Sequence, residues 1–168
     1  MPFPSSEESI LGKLMATMPQ SGRITWLGIR PERRTVPVAV RSVEAITDRG
    51  LAGDHYQGKP GSKRQVTFMQ AEHLQAVASI MNLAEIDPGL IRRNLVVAGI
   101  NLLALKDRQF WVGDVLLEYT GLCHPCSRME ENLGSGGYNA MRGHGGITAR
   151  ILQGGWINLG AILKINPK

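Results

Sequence analysis

Both cysteines of this 168-residue chain lie in one short segment, Gly121–Arg128, which also carries a histidine and an arginine. A thiol does chemistry through its accessible thiolate, and cationic neighbours such as His124 and Arg128 favour that charged form. The spacing of Cys123 and Cys126 is compatible with a zinc site, a dithiol redox centre, or a thiolate that binds a soft metal or carries sulfane sulfur. The remaining alternative is a pair of inert, small hydrophobic residues, which the polar, glycine-rich surroundings disfavour.

The sequence around the two cysteines favours the soft-metal or sulfur-carrying thiolate. One C-x-x-C supplies two of the four ligands that structural zinc needs; His55 or His144 could complete the set, but the chain has no second spaced pair. A dithiol redox motif is expected near a βαβ pattern, whereas this one follows a predicted hairpin late in the chain. A single thiolate suits molybdenum or copper, and it predicts that one cysteine matters far more than the other.

Arg92, Arg93 and Asn94 form a second candidate site. Guanidinium groups bind phosphate and carboxylate through paired hydrogen bonds, and an asparagine amide can both donate to and accept from the edge of a heterocycle. Surface salt bridging is the alternative interpretation. Because Asn94 enters an apolar strand, where a buried amide needs partners, the sequence favours a binding role.

Two glycine-rich loops supply further cations. Residues 47–64 are predicted to form a long loop. In it Gly53-Asp54-His55 and Lys59–Gln65 form a cluster whose Lys59, Lys63 and Arg64 could surround an anion. A second loop, over 132–146, places Arg142 and His144 among glycines, which allow backbone N–H groups to approach a ligand closely. A plain hairpin loop is the alternative for this segment. The phosphate-binding P-loop motif and the G-x-S-x-G hydrolase motif are both absent from the sequence.

Charge and composition limit the class of protein. The chain has 19 Lys and Arg against 14 Asp and Glu, and its last acidic residue is Glu131. A basic, glycine-rich final segment indicates an anionic partner such as phosphate, a phosphorylated cofactor or nucleic acid. With 43% hydrophobic and 20% charged residues the composition is that of a globular protein. No apolar run approaches the ~20 residues of a membrane span, and the first residues do not resemble a secretory signal, so we expect a cytoplasmic protein with reduced thiols.

The elements that must position these residues are mostly short strands. Ser5 and Glu8 have capping-box spacing, which predicts a helix over 5–18, and an apolar stripe predicts a second helix over 70–81. Strands are predicted over 23–30, 36–43, 65–69, 95–97, 110–112, 115–119, 147–152 and 157–165. Residues 1–20 should be a packing or docking element, and 21–168 a single domain. Many short strands without regular helical alternation predict a mainly β (α+β), barrel-like fold with two or three peripheral helices.

Taken in order from about Gly50 to Ile165, these clusters resemble the MOSC domain, the molybdenum cofactor sulfurase C-terminal domain. Each motif is weak alone, but their order along most of the chain is specific. The motifs are Gly50-Leu-Ala-Gly-Asp54, Arg64-Gln-Val66, Arg92-Arg-Asn-Leu-Val-Val97, Gly99-Ile-Asn-Leu102, Val112-Gly-Asp114, Cys123-His-Pro-Cys126 and Gly145-Gly-Ile147.

The resemblance implies a compact β-barrel-like domain that binds the molybdenum cofactor, a pterin with a phosphate tail. It assigns Cys126 as the catalytic residue, which ligates molybdenum or carries the transferred sulfur. It also implies that Arg92 and Asn94 hold the cofactor and that the loop with Lys63 and Arg64 lines the same site. Charge and loop chemistry add Arg142 and His144, and the arginine pair adds Arg93. The predicted cofactor-binding residues are therefore Lys63, Arg64, Arg92, Arg93, Asn94, Arg142 and His144.

The function that the resemblance implies is reduction of N-hydroxylated (N–O) compounds at a Cys-ligated molybdenum. The family alternative is a sulfur carrier that holds a persulfide on Cys126. The chain resembles the small stand-alone bacterial type, because it contains neither the pyridoxal-phosphate-dependent sulfurase domain nor the extra N-terminal barrel of larger members. A separate electron or sulfur donor protein is therefore implied.

Two further questions concern partners. The predicted N-terminal helix could close the barrel or mediate a homodimer. A basic β-barrel could also bind single-stranded nucleic acid, but that mode needs aromatic platforms, and aromatic residues make up 5% of the chain. Trp26, Trp111 and Trp156 are far apart in sequence and are expected in the core, so the nucleic-acid alternative is disfavoured.

Overall fold

The computed structural model of the chain describes residues 9–167, which form eleven strands, four α-helices and two short 3-10 helices. The strands are β1 Gly22–Ile29, β2 Val38–Ala39, β3 Ser42–Ile46, β4 Gly50–Leu51, β5 Val66–Gln70, β6 Leu95–Ala98, β7 Gln109–Val112, β8 Val115–Leu122, β9 Ile147–Gln153, β10 Gly155–Asn158 and β11 Ile162–Ile165. The α-helices are α1 Ile10–Ala16, α2 Ala71–Ile80, α3 Ser127–Leu133 and α4 Gly137–Met141, and the 3-10 helices are Pro88–Ile91 and Leu102–Leu105.

Seven strands close into a barrel, which confirms the prediction of a mainly β, barrel-like fold. The order around the barrel is β1-β11-β7-β8-β9-β5-β6, and β6 returns to β1. Closure comes from β1 and β11, where Gly22 pairs with Leu163. Neighbouring strands are antiparallel except β5 and β6, which are parallel and are joined through α2. β2 adds to the edge of β1, and β10, β3 and β4 form a separate small sheet.

Strand β5 is buried on both faces and so divides the two hydrophobic clusters of the protein. Val66 and Phe68 point into the barrel core, where the rings of Phe68 and Phe110 meet edge to face with centroids 5.5 Å apart. Met69 belongs to the second cluster, which packs the helices α2, α3 and α4 against the outside of the barrel. The site described below lies where β5 begins, between these two rigid clusters.

The structure corrects the sequence prediction at two glycine-rich segments. Helix α4 lies inside the predicted loop 132–146, because Ala140 and Met141 become buried against the second cluster. The predicted single strand over 157–165 is instead β10 and β11, which are separated by a turn that places Gly160 at φ +85°. Residues 9–167 therefore hold eleven strands where eight were predicted, and four α-helices where two or three were predicted.

Helix α1 occupies the middle of the predicted helix 5–18. The Ser9 side chain caps it by accepting a hydrogen bond from the Gly12 N–H at 2.9 Å, whereas the proposed capping pair, Ser5 and Glu8, lies outside the described residues. None of the helical residues is buried, and Ile10 is 81% exposed. The helix itself thus buries no side chain, although Met18, just after it, packs against the barrel core. The role of residues 1–20 as a packing or docking element stays a prediction.

The three tryptophans do not share the core environment expected from the sequence. Trp156 is 59% exposed, because it lies on the outward face of β10 while its neighbour Ile157 points inward. Trp26 and Trp111 are half-buried, and the Trp111 indole N–H donates to the Asn166 side-chain oxygen at 3.0 Å. No helix within residues 9–167 is long and apolar enough to cross a bilayer.

Candidate functional site

A surface cleft of about 290 Å³ opens where β1 ends and β5 and β6 begin. Among the described residues its lining includes five arginines and a single carboxylate. Its volume is close to the ~300 Å³ at the lower end of small-molecule sites, and its charge favours an anionic ligand. The lining residues are Gly28, Arg30, Arg33, Pro37, Asp54, His55, Tyr56, Arg64, Gln65, Thr67, Arg92, Arg93 and Asn94.

Asn94 joins the strands on either side of this cleft. Its side-chain oxygen accepts hydrogen bonds from the backbone N–H and the hydroxyl of Thr67, at 3.1 and 3.0 Å. Its amide nitrogen donates to the Gly28 carbonyl at 3.3 Å, which ties β1 to β5. The half-buried amide therefore has the partners that the sequence analysis required. Asn94 also lines the cleft, and its second amide N–H is not used in these bonds.

Arg92 is the arginine of the pair whose side chain is free for a ligand. It adopts a left-handed backbone conformation, with φ 58° and ψ 40°, at the end of the 3-10 helix Pro88–Ile91. Within residues 9–167 its guanidinium makes no hydrogen bond or ion pair. Burial lowers the pKa of Arg92, and the positive charge of Arg30 lowers it further, while a negative charge on Cys126 opposes both. An anion in the cleft would relieve this repulsion.

Arg93 is only 3% exposed, and all of its hydrogen bonds go to main-chain carbonyls. It donates to Gly145 at 2.8 Å, to Ile91 at 2.9 Å, to Cys123 at 3.3 Å and to His124 at 3.4 Å. Burial lowers the pKa of this guanidinium, and no carboxylate of residues 9–167 pairs with it. The side chain reaches the wall of the cleft but is held by the protein itself.

The two cysteines have opposite environments. Cys123 is 2% exposed, and its sulfur accepts a hydrogen bond from the Arg64 guanidinium at 3.6 Å. Cys126 is exposed and comes directly before α3. It lies near enough to the cleft that a thiolate charge there acts on both Arg92 and Arg93. The accessible thiol beside the cationic cleft is therefore Cys126.

Gly145 and Gly146 allow the cysteine segment to lie against the barrel. A methyl group on Gly145 would overlap the Cys123 carbonyl, and one on Gly146 would overlap the Phe68 carbonyl. Gly146 also has φ +86°, which favours glycine. The Gly146 carbonyl in turn accepts a hydrogen bond from the Cys123 N–H at 2.9 Å. Two adjacent residues without side chains thus fix the position of Cys123.

The structure places three predicted site residues outside the lining of the cleft. Lys63 is exposed, and its carbonyl accepts a hydrogen bond from the Thr120 hydroxyl. Arg142 is exposed at the end of α4. His144 packs edge to face against His73 with ring centroids 5.2 Å apart. The cleft therefore brings together Arg64, Arg92, Arg93 and Asn94, with Cys126 beside it, but not these three side chains.

Several lining residues were not predicted from the sequence. Arg30 and Arg33 follow β1, in a stretch where only a charged turn is visible, and their distance along the chain from Arg92 hides their proximity. The Asp54 carboxylate accepts a hydrogen bond from the Arg30 N–H at 2.7 Å, which brings His55 and Tyr56 to the cleft. A Gly-Asp-His triplet was the only signal in the sequence for this part of the lining.

The donor set suits a phosphate-bearing pterin with a soft metal. Guanidinium groups of Arg64 and Arg92 match a phosphate, the amide of Asn94 matches a heterocycle edge, and the exposed sulfur of Cys126 matches a soft metal. The part of the chain that the structure describes contains no group of three or more His, Cys, Asp or Glu side chains that could hold a metal. The protein's contribution to a metal centre of this kind would thus be the single cysteine.

Comparison with solved structures gives several matches of the same fold. YuaD from Bacillus subtilis superimposes with a TM-score of 0.75 and 18% sequence identity, over 87% of this chain and 96% of that chain. YiiM from Escherichia coli has a TM-score of 0.66 and 19% identity, over 87% and 70% of the two chains. YiiM from Geobacillus stearothermophilus has a TM-score of 0.67 and 18% identity, over 87% and 75%. No curated protein matches the sequence.

The sequence also matches a family model. The match is to the MOSC domain and spans residues 53–164, which is more than half of the chain and includes most of the cleft, both cysteines and the Gly145-Gly146 pair. The order of motifs along the sequence, the closed barrel and this match agree. The chain belongs to the MOSC domain family.

Proposed function

We propose that this protein binds the molybdenum cofactor in the arginine-lined cleft and reduces N-hydroxylated compounds. The observation that carries the proposal is the position of one exposed thiol, Cys126, beside a cleft whose described lining has five arginines and one carboxylate. Such a lining attracts a phosphate-bearing ligand, and a thiolate at its edge is a soft ligand for molybdenum. Membership of the MOSC family supports the choice of cofactor, and the resemblance described above supports the class of substrate.

The residues of the cleft have separate tasks in this proposal. Arg92 and Arg64 bind the phosphate, because both line the cleft and Arg92 has no hydrogen-bonding partner within residues 9–167. Asn94 offers its unused amide N–H to the heterocycle. Arg30 and Arg33 add positive charge to the lining. Cys126 is the residue that would hold the metal.

The reaction also needs protons. When bound, the cofactor supplies the two electrons that break an N–O bond, so that a hydroxylamine, with two protons, becomes an amine and water. His55 and Tyr56 lie on the lining and are the described side chains there that can donate a proton to the leaving oxygen. The hydrogen bond from the Arg30 N–H to Asp54 fixes the segment that carries them.

We assign the supply of electrons to a separate donor protein, as the family resemblance implies. The exposure of Cys126 leaves the edge of the cleft open to such a donor. We place the reaction in the cytoplasm, where both thiols stay reduced. A homodimer through α1 stays an alternative for the oligomeric state.

The exposure of Cys126 also favours a second candidate function, sulfur transfer. A thiolate at Cys126 would attack the sulfane sulfur of a donor persulfide, and the donor would leave as its thiolate. The resulting persulfide would then pass its outer sulfur to an acceptor nucleophile and regenerate the Cys126 thiolate. The buried Cys123 is not accessible to a partner protein and would take no part in this exchange.

The decisive experiment measures metal content. The wild-type protein, Cys126→Ser and Cys123→Ser would be purified from cells that make the molybdenum cofactor and analysed by elemental mass spectrometry. We expect near-stoichiometric molybdenum in the wild type and in Cys123→Ser, and loss of at least tenfold in Cys126→Ser. Purified wild-type protein should then reduce an N-hydroxylated base when an artificial electron donor is present.

Two results would contradict the proposal in different ways. No molybdenum in any of the three proteins would overturn cofactor binding, and a persulfide found on Cys126 by mass spectrometry would then support sulfur transfer. Equal molybdenum in all three proteins would mean that neither thiol holds the metal, which would remove Cys126 from its assigned role.

A further inference from the structure

The buried guanidinium of Arg93 connects three segments of backbone that meet behind the cleft. Its hydrogen bonds reach the end of the 3-10 helix at Ile91, the cysteine segment at Cys123 and His124, and the glycine pair at Gly145. These residues are up to 52 positions from Arg93 in sequence. A single planar group with several fixed donors is the side chain that can satisfy this many carbonyls at once.

The cysteine segment is restrained at several points, and Arg93 provides the hydrogen bonds to its first two carbonyls. Strand β8 ends at Leu122, and α3 begins at Ser127. Between them, the backbone of Cys123 is fixed on one side by its N–H bond to Gly146 and on the other by the Arg93 bond to its carbonyl. Arg93 also holds the next carbonyl, that of His124. Arg93 is thus the side chain that holds both carbonyls on the path from β8 to Cys126.

Arg93 differs in this respect from its neighbour Arg92. Arg92 is half-buried and makes no hydrogen bond with residues 9–167, whereas Arg93 is 3% exposed and donates to four carbonyls. The committed donors of Arg93 leave it little capacity for a ligand, although its charge stays beside the cleft. Arg92 is therefore free to bind a ligand, whereas Arg93 supports the backbone around it.

We propose that Arg93 is a positioning residue that holds the Cys123–Cys126 segment against the cleft, and that it does not bind the cofactor directly. The expected effect of Arg93 on molybdenum binding rests on the proposed function. The ordering of the cysteine segment does not, because the hydrogen bonds of Arg93 to the four carbonyls, called the fork below, form whether or not a ligand is present.

The test compares substitutions that separate the fork from the charge. Arg93→Lys keeps the charge but cannot reach the carbonyls of Gly145, Ile91 and Cys123 together, and Arg93→Gln removes the charge as well. Arg92→Met is the matched control on the neighbouring residue. Each metal-free protein would be alkylated with iodoacetamide, and the rate at each cysteine would be followed by peptide mass spectrometry. Molybdenum content would be measured on the same variants purified from cofactor-producing cells.

In the wild type we expect rapid alkylation of Cys126 and protection of Cys123. Arg93→Lys should increase the rate at Cys123 at least tenfold and reduce molybdenum content at least fivefold. Arg92→Met should leave the protection of Cys123 within twofold of the wild type while also lowering molybdenum content. If the lysine variant does not fold, Arg93→Gln should show the same loss of protection, because it also lacks the fork.

Other results would overturn the inference. Full protection of Cys123 together with full molybdenum content in Arg93→Lys would show that the fork is not needed. Loss of molybdenum with unchanged protection would show that Arg93 acts on the cofactor directly. If even the wild type contains no molybdenum, the proposed function fails, but the alkylation rates still decide whether Arg93 orders the cysteine segment.

Discussion

Arg92 and Arg93 are consecutive in sequence, yet the guanidinium of Arg92 has no hydrogen bond to residues 9–167 while that of Arg93 donates to four main-chain carbonyls. The left-handed backbone at Arg92, with φ 58°, separates the two side chains at the entrance to β6. A residue other than glycine in this conformation costs about 1 kcal/mol, and such strain is often found at functional sites.

Replacing Arg92 by glycine should change stability little but weaken cofactor binding strongly. In Arg92→Gly the relief of backbone strain and the extra entropy of glycine in the unfolded chain nearly cancel, so the free energy of unfolding should change by less than about 1 kcal/mol. Cofactor content should nevertheless fall at least fivefold. Urea unfolding and elemental mass spectrometry would measure the two effects. A loss of stability well above 1 kcal/mol would mean that Arg92 has a structural role.

An added methyl group should destabilise the protein much more at Gly146 than at Gly143. Gly146→Ala combines a left-handed φ with an overlap on the Phe68 carbonyl, so we expect it to lower the free energy of unfolding by more than about 3 kcal/mol. Gly143→Ala is the matched control, because Gly143 has φ +79° but no atom near the added methyl. It should cost about 1 kcal/mol. Similar melting temperatures for the two variants would contradict the close packing of the pair.

The cationic cleft predicts that a simple anion stabilises the protein. Inorganic phosphate at about ten times its dissociation constant should raise the melting temperature by roughly 3 °C, since a ligand that binds only the folded state stabilises it. Arg92→Met and Arg64→Met should each reduce that shift. Arg23→Met is the control, because Arg23 is exposed on β1 and outside the lining of the cleft. An equal reduction in the control would indicate nonspecific screening.

The alternative that this protein binds single-stranded nucleic acid is tested by a direct binding measurement. Within residues 9–167 the exposed aromatic side chains are Trp156, Tyr138 and Tyr56, which belong to three separate segments and form no continuous platform on which bases could stack. We expect no measurable binding of a single-stranded oligonucleotide at physiological salt by fluorescence anisotropy. Salt-dependent binding that survives Cys126→Ala would instead favour the nucleic-acid module over the cofactor enzyme.

The contact between His73 and His144 predicts a pH dependence of stability. Burial, and then the charge of His144, lowers the pKa of His73 below its usual value of 6.5, so the unfolded chain binds this proton more readily than the folded protein. The stability from this group is present above pH 6.5 and is lost as the pH falls through the lower folded pKa. The effect should stay under about 1 kcal/mol, because His73 is partly exposed.

His73→Phe keeps an aromatic ring against His144 but cannot be protonated. Between pH 7.5 and pH 5.5 it should therefore lose less stability in urea unfolding than the wild type does. An equal loss in both proteins would show that other groups cause the dependence.

Much of the barrel could be predicted from local sequence. The turn Gly113-Asp114 between two apolar runs predicted the hairpin of β7 and β8, and the apolar stripe over 70–81 predicted α2; both are present. Helix α4 could not be predicted, because it is stabilised by contacts outside the helix, namely burial of Ala140 and Met141 and hydrogen bonds to a residue of α3. The Glu130 carboxylate accepts hydrogen bonds from the N–H groups of Gly136 and Tyr138, at 2.7 and 2.9 Å. Such tertiary contacts override the low helix propensity of glycine.

The site, too, could be predicted in part from the sequence. The types of residue at Arg92, Asn94 and Cys126 indicated an anion and a soft metal, and the structure places these residues together. Sequence alone could not distinguish Arg92 from Arg93, because the difference depends on a backbone turn and on carbonyls that are far away in the chain. Nor could it place Arg33 at the cleft, since a charged turn carries no sign of what it faces.

The pairing of β1 with β11 also sets the order of events in biosynthesis. These two strands join residues about 140 positions apart, such as Gly22 and Leu163, so the ring of strands stays open until β11 has been synthesised. Contacts so distant in sequence form slowly and leave strand edges exposed in the meantime. The end of β1 also contributes Gly28 and Arg30 to the cleft. The barrel that carries these residues therefore closes only after β11 has joined β1, and until then its open strand edges favour aggregation.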